Sequence, residues 1–152
     1  MLRCAYVDLD AALLGPGLGA RALEACGRAD VEIVLHSLTG AAEIADRLGL
    51  RAWFAGDVLH LDGEKLAVDG PAAAVTHHLR ARAWGPGEAL AVGADLAVAP
   101  AVGTFWLVGG DPAADPLLAL ELERHPNVRL PEGRGEAALY EAVVTTLMER
   151  RS

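Results

Sequence analysis

The sequence predicts an α/β protein in which a mainly parallel β-sheet lies between two layers of helices. Short apolar runs alternate along the chain with segments whose apolar residues recur at helical spacing. This alternation is typical of βαβ units, whose parallel strands are covered by helices on both faces. The 152 residues suffice for a sizeable core and contain no repeat, linker or low-complexity segment. Residues 1–152 are therefore interpreted as one domain with a three-layer α/β/α architecture.

The first half of the chain predicts two strand–helix units, a further strand and a hairpin. The predicted strands are 3–8, 31–36 and 52–55, and the predicted helices are 18–29 and a segment that begins at Thr39 or Gly40. Gly49 is the expected C-terminal cap of the second helix. The apolar face predicted for that helix consists of Ala41, Ile44, Ala45 and Leu48. Two apolar runs at 58–61 and 65–68, joined by Asp62-Gly63, predict a small β-hairpin.

The second half continues the alternation to the end of the chain. A helix begins at Gly70-Pro71, because proline suits the first turn of a helix, and another begins at Asp115-Pro116 and runs to about His125. The remaining predicted elements are strands at 89–93, 104–108 and 128–130, a short helical stretch to Ala99, and a final helix at about 136–150. The strand at 128–130 is expected at an edge of the sheet.

Composition limits the classes of partner and compartment. The formal net charge is -8 and the isoelectric point is about 5.0, which argues against binding to nucleic acid or to an anionic membrane. No apolar stretch reaches about 18 residues, and the N-terminus lacks a signal-peptide pattern. Cys4 and Cys26 lack metal-ligand spacing and indicate buried thiols in a reducing compartment, so we expect a cytoplasmic protein. All five histidines are interpreted as structural.

Polar side chains follow three of the predicted strands at their carboxyl ends. Asp8 and Asp10 project on the same side of an extended chain, and two carboxylates this close repel unless a cation, a proton or solvent separates them. Ser37 and Asp95 follow two other strands, so the four side chains are expected on one rim of the sheet. The alternative interpretations are a solvated acidic turn for the two aspartates, an ordinary turn serine, and a helix cap at Asp95.

A glycine-rich segment follows the two aspartates. Gly15, Gly17 and Gly19 do not have the spacing of a dinucleotide-binding loop, and the acids that precede them would repel a pyrophosphate. We therefore interpret this segment as a flap beside the rim.

Several stretches resemble the haloacid dehalogenase (HAD) superfamily. The Asp-x-Asp hallmark after an apolar strand is seen as Val7-Asp8-Leu9-Asp10, and the second motif, a strand that ends in Ser or Thr, is seen as 33–37. The stretches 91–95, 101–108, 127–130 and 140–144 are also similar to that superfamily. The resemblance covers essentially the whole chain and implies a Rossmann-like HAD core over residues 1–152, with the small hairpin as an insert and no cap domain.

The resemblance also implies roles for individual residues. Asp8 corresponds to a nucleophile that forms an aspartyl-phosphate, and Asp10 to the acid that protonates the leaving oxygen and then activates water. Ser37 and Leu9 correspond to phosphate-binding positions. Mg²⁺ is expected to be held by Asp8, Asp10 and Asp95. The implied partner is a small phosphorylated molecule.

The chain departs from the family pattern at three places. Ala11-Ala12 stands where the family has Gly-Thr, and Ala94 stands where it has the first acid of its fourth motif. The third-motif Lys or Arg is missing from the start of the helix, which opens at Gly70-Pro71, and the only lysine, Lys65, lies in the predicted hairpin. Loss of one preorganised charge stabiliser costs on the order of 10²–10³ in rate. Two hypotheses therefore stand: a weak or eroded Mg²⁺-dependent phosphohydrolase, and an inactive pseudo-phosphatase that acts as a binding or scaffold module for a protein partner.

Whether Lys65 folds back to replace the missing cation stays open at the level of sequence. Only 28 residues separate Asp8 from Ser37, which leaves no room for a cap domain. Relatives without a cap often associate so that neighbouring copies cover the site, or act on large substrates. We therefore expect a homo-oligomer.

Overall fold

All the strands belong to one sheet in the computed structural model of this chain, which describes residues 1–12, 17–38 and 40–150. The strands are β1 (Cys4–Asp8), β2 (Glu32–His36), β3 (Ala52–Ala55), β4 (Val58–Leu61), β5 (Glu64–Ala67), β6 (Ala89–Gly93), β7 (Thr104–Leu107) and β8 (Val128–Arg129). Their order across the sheet is β5-β4-β3-β2-β1-β6-β7-β8. Two of the seven strand pairs, β3 with β4 and β4 with β5, are antiparallel and the other five are parallel, so the predicted mainly parallel sheet is confirmed.

Helices cover both faces of this sheet and give the predicted three layers. The helices are α1 (Leu18–Arg28), α2 (Ala41–Leu48), α3 (Gly70–Arg82), α4 (Pro116–Glu123) and α5 (Glu136–Glu149), with 3-10 turns at Pro86–Glu88 and Leu96–Ala101. One apolar core joins α1 and α5 to the sheet, and the second joins α3 to its other face. None of the helices in the described part of the chain is both long and apolar enough to cross a lipid bilayer.

Local sequence signals set most of the element boundaries. Gly49 ends α2 with a left-handed φ of +67°, and the Asp115 carboxylate accepts hydrogen bonds from Leu117 N and Leu118 N at the start of α4. The stretch after Asp95 forms a 3-10 helix, with Pro100 inside it. The predictions for Gly15 and for a helix start at Thr39 lie outside the described residues.

One predicted core position is wrong. Leu48, at the last position of α2, was expected on the apolar face of that helix, yet it is 46% exposed. Ala41 and Ala45 of the same face are buried as predicted. The reason is that α2 ends at Leu48 and the chain turns through Gly49 into β3, so no element covers this side chain.

The topology places β1 at the centre of the molecule. It pairs in parallel with β2 on one side and with β6 on the other, and Asp8 lies directly opposite His36. Because the carboxyl ends of parallel strands meet at one edge, the loops after β1, β2, β6 and β7 share this edge. The predicted convergence of Asp8, Asp10, Ser37 and Asp95 on one edge of the sheet follows from this arrangement.

Candidate active site

The loop after β1 is a compact turn around Asp8. The Asp10 amide donates to Asp8 Oδ1 at 3.0 Å, and the Ala12 amide donates to the Asp8 carbonyl at 2.8 Å. These two hydrogen bonds hold the carboxylate of Asp8 at the end of its strand. The side chain of Asp8 is 17% exposed, whereas Asp10 lies on the surface. The pair therefore consists of one recessed and one exposed carboxylate.

Asp10 is tied to the loop after β2 through both of its carboxylate oxygens. The Leu38 amide donates to Oδ2 at 3.0 Å, and the Ser37 hydroxyl donates to Oδ1 at 2.8 Å. The Leu38 amide above all, and then the Ser37 hydroxyl, lower the pKa of Asp10 below its usual value. A lowered pKa holds Asp10 in its ionised form, which opposes its work as an acid, and it also makes the carboxylate a weaker base.

The two predicted phosphate-binding positions are engaged within the protein. Ser37 is 1% exposed, and its hydroxyl donates to Asp10 rather than into open space. The Leu9 amide donates to the His36 carbonyl at 2.8 Å, while the Leu9 side chain packs against the core. Each of these two donors is therefore already used within the protein.

A small pocket lies beside Asp8, with an internal volume of about 30 Å³, which is room for about two water molecules. His36, Pro71, Gly93 and Asp95 share its lining with Asp8. A Cβ atom on Gly93 would lie 3.0 Å from Asp8 Cβ and 3.3 Å from Asp8 Oδ2. Glycine at this position is what lets the carboxylate of Asp8 sit against β6.

His36 is a site residue that sequence reasoning assigned to a structural role. Its Nδ1 lies 4.0 Å from Asp8 Oδ1, and its ring stacks on Phe54 with the centroids 4.4 Å apart. The histidine therefore borders Asp8 and also packs as a structural residue does. The feature of the sequence that could have indicated a site role for His36 is its position next to Ser37 at the end of the second strand, which pairs with the strand of Asp8.

Among the described residues, no Lys or Arg lines the pocket beside Asp8. Pro71, in the first turn of α3, is part of that lining. Lys65 is exposed on β5, four strands away from β1. At about 4.8 Å per strand the separation is about 19 Å, which a lysine side chain does not span. The structure does not bring Lys65 to the site.

The donor set for a divalent cation is sparse. Asp95 lines the pocket beside Asp8, but its Oδ1 also accepts a hydrogen bond from Ala97 N at 3.0 Å and so caps the 3-10 helix. Within residues 1–12, 17–38 and 40–150, no group of three or more His, Cys, Asp or Glu side chains is placed to hold a metal. Asp8, Asp10 and Asp95 therefore do not form a three-carboxylate cage. Mg²⁺ often binds through one or two carboxylates, with water and phosphate oxygens completing its shell, and Asp8 with Asp95 fits that arrangement.

A wider cleft opens at the same edge of the sheet and encloses about 620 Å³. It extends from Ala11, next to Asp10, to the loop after β7 at Gly109-Gly110 and the loop before α5 at Arg134. Its volume falls in the range of about 300–1,000 Å³ typical of small-ligand sites. Arg134 is exposed and is the one basic residue in the lining of this cleft.

The similarity of this chain to known proteins is found in the structure and not in the sequence. No protein-family model matches this sequence, and no curated protein matches it either. A Vibrio cholerae structure provisionally named 3-deoxy-D-manno-octulosonate 8-phosphate phosphatase is 18% identical, with a TM-score of 0.67 over 99% of this chain and 86% of that one. The cobalt-bound deoxy-D-mannose-octulosonate 8-phosphate phosphatase of Haemophilus influenzae is 12% identical, with a TM-score of 0.65 over 95% and 88%.

A third similar structure comes from Legionella pneumophila and is provisionally named a HAD superfamily hydrolase of subfamily III A. It is 12% identical, with a TM-score of 0.65 over 97% of this chain and 82% of that one. At identities this low, the likeness establishes the fold.

Proposed function

Because this chain has the fold of HAD superfamily hydrolases, we propose that it is a weak Mg²⁺-dependent phosphohydrolase that works through Asp8. The observation that carries the proposal is the position of Asp8. Its carboxylate lies at the carboxyl end of the central strand, is held by the Asp10 amide, and borders a pocket at the edge where ligands bind in folds of this type.

The proposed reaction has two displacements. An oxygen of the Asp8 carboxylate attacks phosphorus, the bond to the leaving oxygen breaks, and an aspartyl-phosphate forms. Asp10 then accepts a proton from a water molecule, whose oxygen attacks the phosphorus and releases inorganic phosphate and the Asp8 carboxylate. Asp10 is in the ionised form that this step needs, although its hydrogen bonds with Leu38 N and Ser37 Oγ lower its pKa and make it a weak base.

A bound Mg²⁺ would supply positive charge between the carboxylates and the phosphate. Asp8 and Asp95 are the residues that would hold it, with water completing its shell. Two carboxylates, one of which also caps a helix, predict weak binding of the ion. Cobalt is bound in one of the similar structures, which supports a divalent cation in folds of this type.

The proposed activity is weak for two physical reasons. The low pKa of Asp10 opposes protonation of a poor leaving group in the first step. Pro71 at the third-motif position leaves the transferring phosphate without the cation that a Lys or Arg would provide. Loss of such a charge costs on the order of 10²–10³ in rate. Esters with good leaving groups, which need no protonation, are therefore the favoured substrates.

The proposed substrate is a small phosphorylated molecule. The cleft of about 620 Å³ that begins at Ala11 offers space for the rest of such a molecule, and its charged lining consists of one cation, Arg134, and two acids, Asp111 and Glu132. Two of the similar structures carry names of phosphatases that act on an eight-carbon sugar-acid phosphate, which supports this size of substrate.

The test is hydrolysis of 4-nitrophenyl phosphate with and without Mg²⁺, by the wild type and by Asp8→Asn. We expect slow, Mg²⁺-dependent release of nitrophenol that Asp8→Asn abolishes. Asp57→Asn is a matched control, because Asp57 is a carboxylate in the turn between β3 and β4 that does not line the pocket beside Asp8. A rate that is equal in the wild type and Asp8→Asn would contradict the proposal.

The alternative function is a pseudo-phosphatase that binds a phosphorylated ligand or a protein without turnover. Pro71 beside Asp8 and the engagement of Ser37 and Leu9 within the protein favour it. Phosphorus NMR of 4-nitrophenyl phosphate with excess protein distinguishes the two functions. A shifted, Asp8-dependent signal without formation of inorganic phosphate would support the alternative over the enzyme.

We further propose that copies of this chain associate beside the open site. Leu38, which follows Ser37, is 74% exposed, as is Leu117 in the first turn of α4. Leu38 lies beside the site, because its amide donates to Asp10, so it offers an apolar contact to a covering copy, and the described residues include no cap. Light scattering at micromolar concentration should give a multiple of the 15.8 kDa chain mass, and a monomer mass would refute the proposal.

We also propose a cytoplasmic location. Cys4 and Cys26 are both buried free thiols, which is the usual state of cysteines in a reducing compartment. Fractionation of cells that express the native gene should place the protein with cytoplasmic markers, and recovery with secreted proteins would contradict this location.

A further inference from the structure

His36 borders Asp8 but has no part in the two displacements of the proposed reaction. It is the last residue of β2, and parallel pairing places it opposite Asp8 on β1 and opposite Phe54 on β3. Residues that are opposite each other on neighbouring parallel strands project from the same face of the sheet. The three side chains therefore form a row at the carboxyl ends of their strands. Helix α3 covers this face, because Phe54 packs in the same apolar core as Val75.

The imidazole ring of His36 is held in one orientation. Its face stacks on the ring of Phe54, with the centroids 4.4 Å apart and the planes inclined by 18°. The edge that carries Nδ1 lies 4.0 Å from Asp8 Oδ1, and the side chain is 15% exposed. Because the ring is fixed before any ligand arrives, little conformational freedom is lost when it binds one.

His36 also has an unused hydrogen-bond donor. At 4.0 Å its Nδ1 is too far from Asp8 Oδ1 for a hydrogen bond, and the ring forms none with any other residue of the described ranges. Among the other side chains of the pocket lining, the Tyr6 hydroxyl is engaged by His78 at 2.6 Å, and the two aspartates only accept when ionised. The rest of the lining is apolar or glycine. Within the described pocket, His36 is thus the side chain that can donate to a ligand.

The space between His36 and Asp8 fits an oxygen of a phosphoryl group. Phosphorus lies about 3–3.5 Å from an attacking oxygen before the reaction, and a stabilising donor lies about 2.7–3.1 Å from the oxygen that it binds. An oxygen at about 3 Å from both Asp8 Oδ1 and His36 Nδ1 is compatible with their separation of 4.0 Å. The pocket, with about 30 Å³, has room for about two oxygen atoms of this size.

We propose that His36 binds the transferring phosphoryl group by donating a hydrogen bond from Nδ1 to one of its oxygens. The assignment rests on the proposed function, since it takes the phosphoryl group to be bound against Asp8. One neutral tautomer of histidine carries a hydrogen on Nδ1, so the donation requires no change of charge. The hydrogen bond stabilises negative charge on the phosphoryl oxygens in a pocket whose described lining contains no Lys or Arg.

Two substitutions of His36 separate donation from packing. His36→Phe keeps an aromatic ring against Phe54 but removes both ring nitrogens. His36→Asn loses the stacking, but its amide nitrogen lies as far along the side chain as Nδ1 and can donate in its place. A donor role therefore predicts that the asparagine variant is the more active of the two, whereas a packing role predicts the opposite order.

Hydrolysis of 4-nitrophenyl phosphate with Mg²⁺ is the first measurement. We expect His36→Phe to lower kcat/KM about 100-fold and His36→Asn to lower it less than about tenfold. His60→Phe is the matched control and should keep the wild-type rate, because the His60 ring also stacks on an aromatic ring, that of Trp53, but does not line the pocket. Thermal melting should show that all three variants are folded. A wild-type rate in His36→Phe, or a rate in His36→Asn no higher than in His36→Phe, would overturn the assignment.

Calorimetric titration with inorganic phosphate in the presence of Mg²⁺ separates this assignment from the proposed function. We expect the Kd to rise at least about tenfold in His36→Phe, because the lost hydrogen bond is made to a charged group, and to change little in His36→Asn. Phosphate binding that depends on His36, without Asp8-dependent hydrolysis, would support the assignment and refute the phosphatase. Asp8-dependent hydrolysis with phosphate binding unchanged in His36→Phe would refute the assignment alone. A wild-type protein that does not bind millimolar phosphate would also overturn the assignment.

Discussion

Replacement of Glu32 by glutamine tests the buried ionic network that joins β2 to α3. The Tyr6 hydroxyl lies 2.6 Å from His78 Nδ1, and His78 Nε2 lies 2.9 Å from the Glu32 carboxylate, which also accepts two hydrogen bonds from Arg82. Burial alone would raise the pKa of Glu32, but the hydrogen bonds from His78 and Arg82 outweigh it and lower the pKa from 4.5 to about 2.

The size of the effect follows from this pKa. A fall from 4.5 to about 2 corresponds to about 3 kcal/mol in the free energy of unfolding, the same order as loss of one partner of a buried ion pair. Because the pKa is lower in the folded state, the contribution is complete above pH 4.5 and is lost as the pH falls towards 2. About half of it remains at pH 3. In a protein of this length, 3 kcal/mol corresponds to about 6–12 °C in Tm.

Calorimetric or circular-dichroism melting of the wild type and Glu32→Gln at pH 7 and pH 3 measures both quantities. Glu24→Gln is the control, because Glu24 is exposed on α1 and accepts no side-chain hydrogen bond from the described residues. We expect the Tm difference for Glu32→Gln to shrink by about half between pH 7 and pH 3, and that for Glu24→Gln to stay near zero. A difference below 2 °C at pH 7, or one that is independent of pH, would refute the reasoning.

Three further outcomes are expected. Gly93→Ala should lower the Asp8-dependent hydrolysis of 4-nitrophenyl phosphate roughly 100-fold, since the added methyl group would lie 3.0 Å from Asp8 Cβ and displace that side chain. An unchanged rate would mean that the activity does not depend on the position of the Asp8 side chain against Gly93. Lys65→Met should keep the wild-type rate, and a tenfold loss would show that Lys65 reaches the site after all. Burial raises the pKa of the Cys4 and Cys26 thiols to about 12, so a disulfide reagent at pH 8 should label both only after unfolding; fast labelling of the native protein would contradict their burial.

Much of the fold was accessible from the sequence because its signals are local. The strands at 52–55, 58–61 and 89–93 have the bounds that their apolar runs predict. The caps at Gly49 and Asp115 depend on groups within three residues of each helix end, so no tertiary information is needed to identify them. The prediction for Leu48 is wrong because the exposure of this side chain is not a local property. It depends on where α2 stops relative to the neighbouring elements.

The candidate site was only partly accessible from the sequence. The position of Asp8 and Asp10 at the end of a buried strand follows from the apolar run before them, and the strand–helix alternation places Ser37 and Asp95 on the same rim. The hydrogen-bond partner of each polar group does not follow from the sequence. Asp10 accepts hydrogen bonds from Ser37 and Leu38, which lower its pKa. These hydrogen bonds depend on how two loops from neighbouring strands meet.

The sequence by itself determined the alternation of strands and helices, the acidic rim and the lack of Lys or Arg where a helix opens at Gly70-Pro71, because each is written within a few consecutive residues. Only the tertiary structure placed His36 beside Asp8, Lys65 four strands away from it, and Gly93 against its carboxylate. Those relations depend on strand order and register. Order and register are set by the packing of the whole sheet between its helices, which no short stretch of the chain encodes.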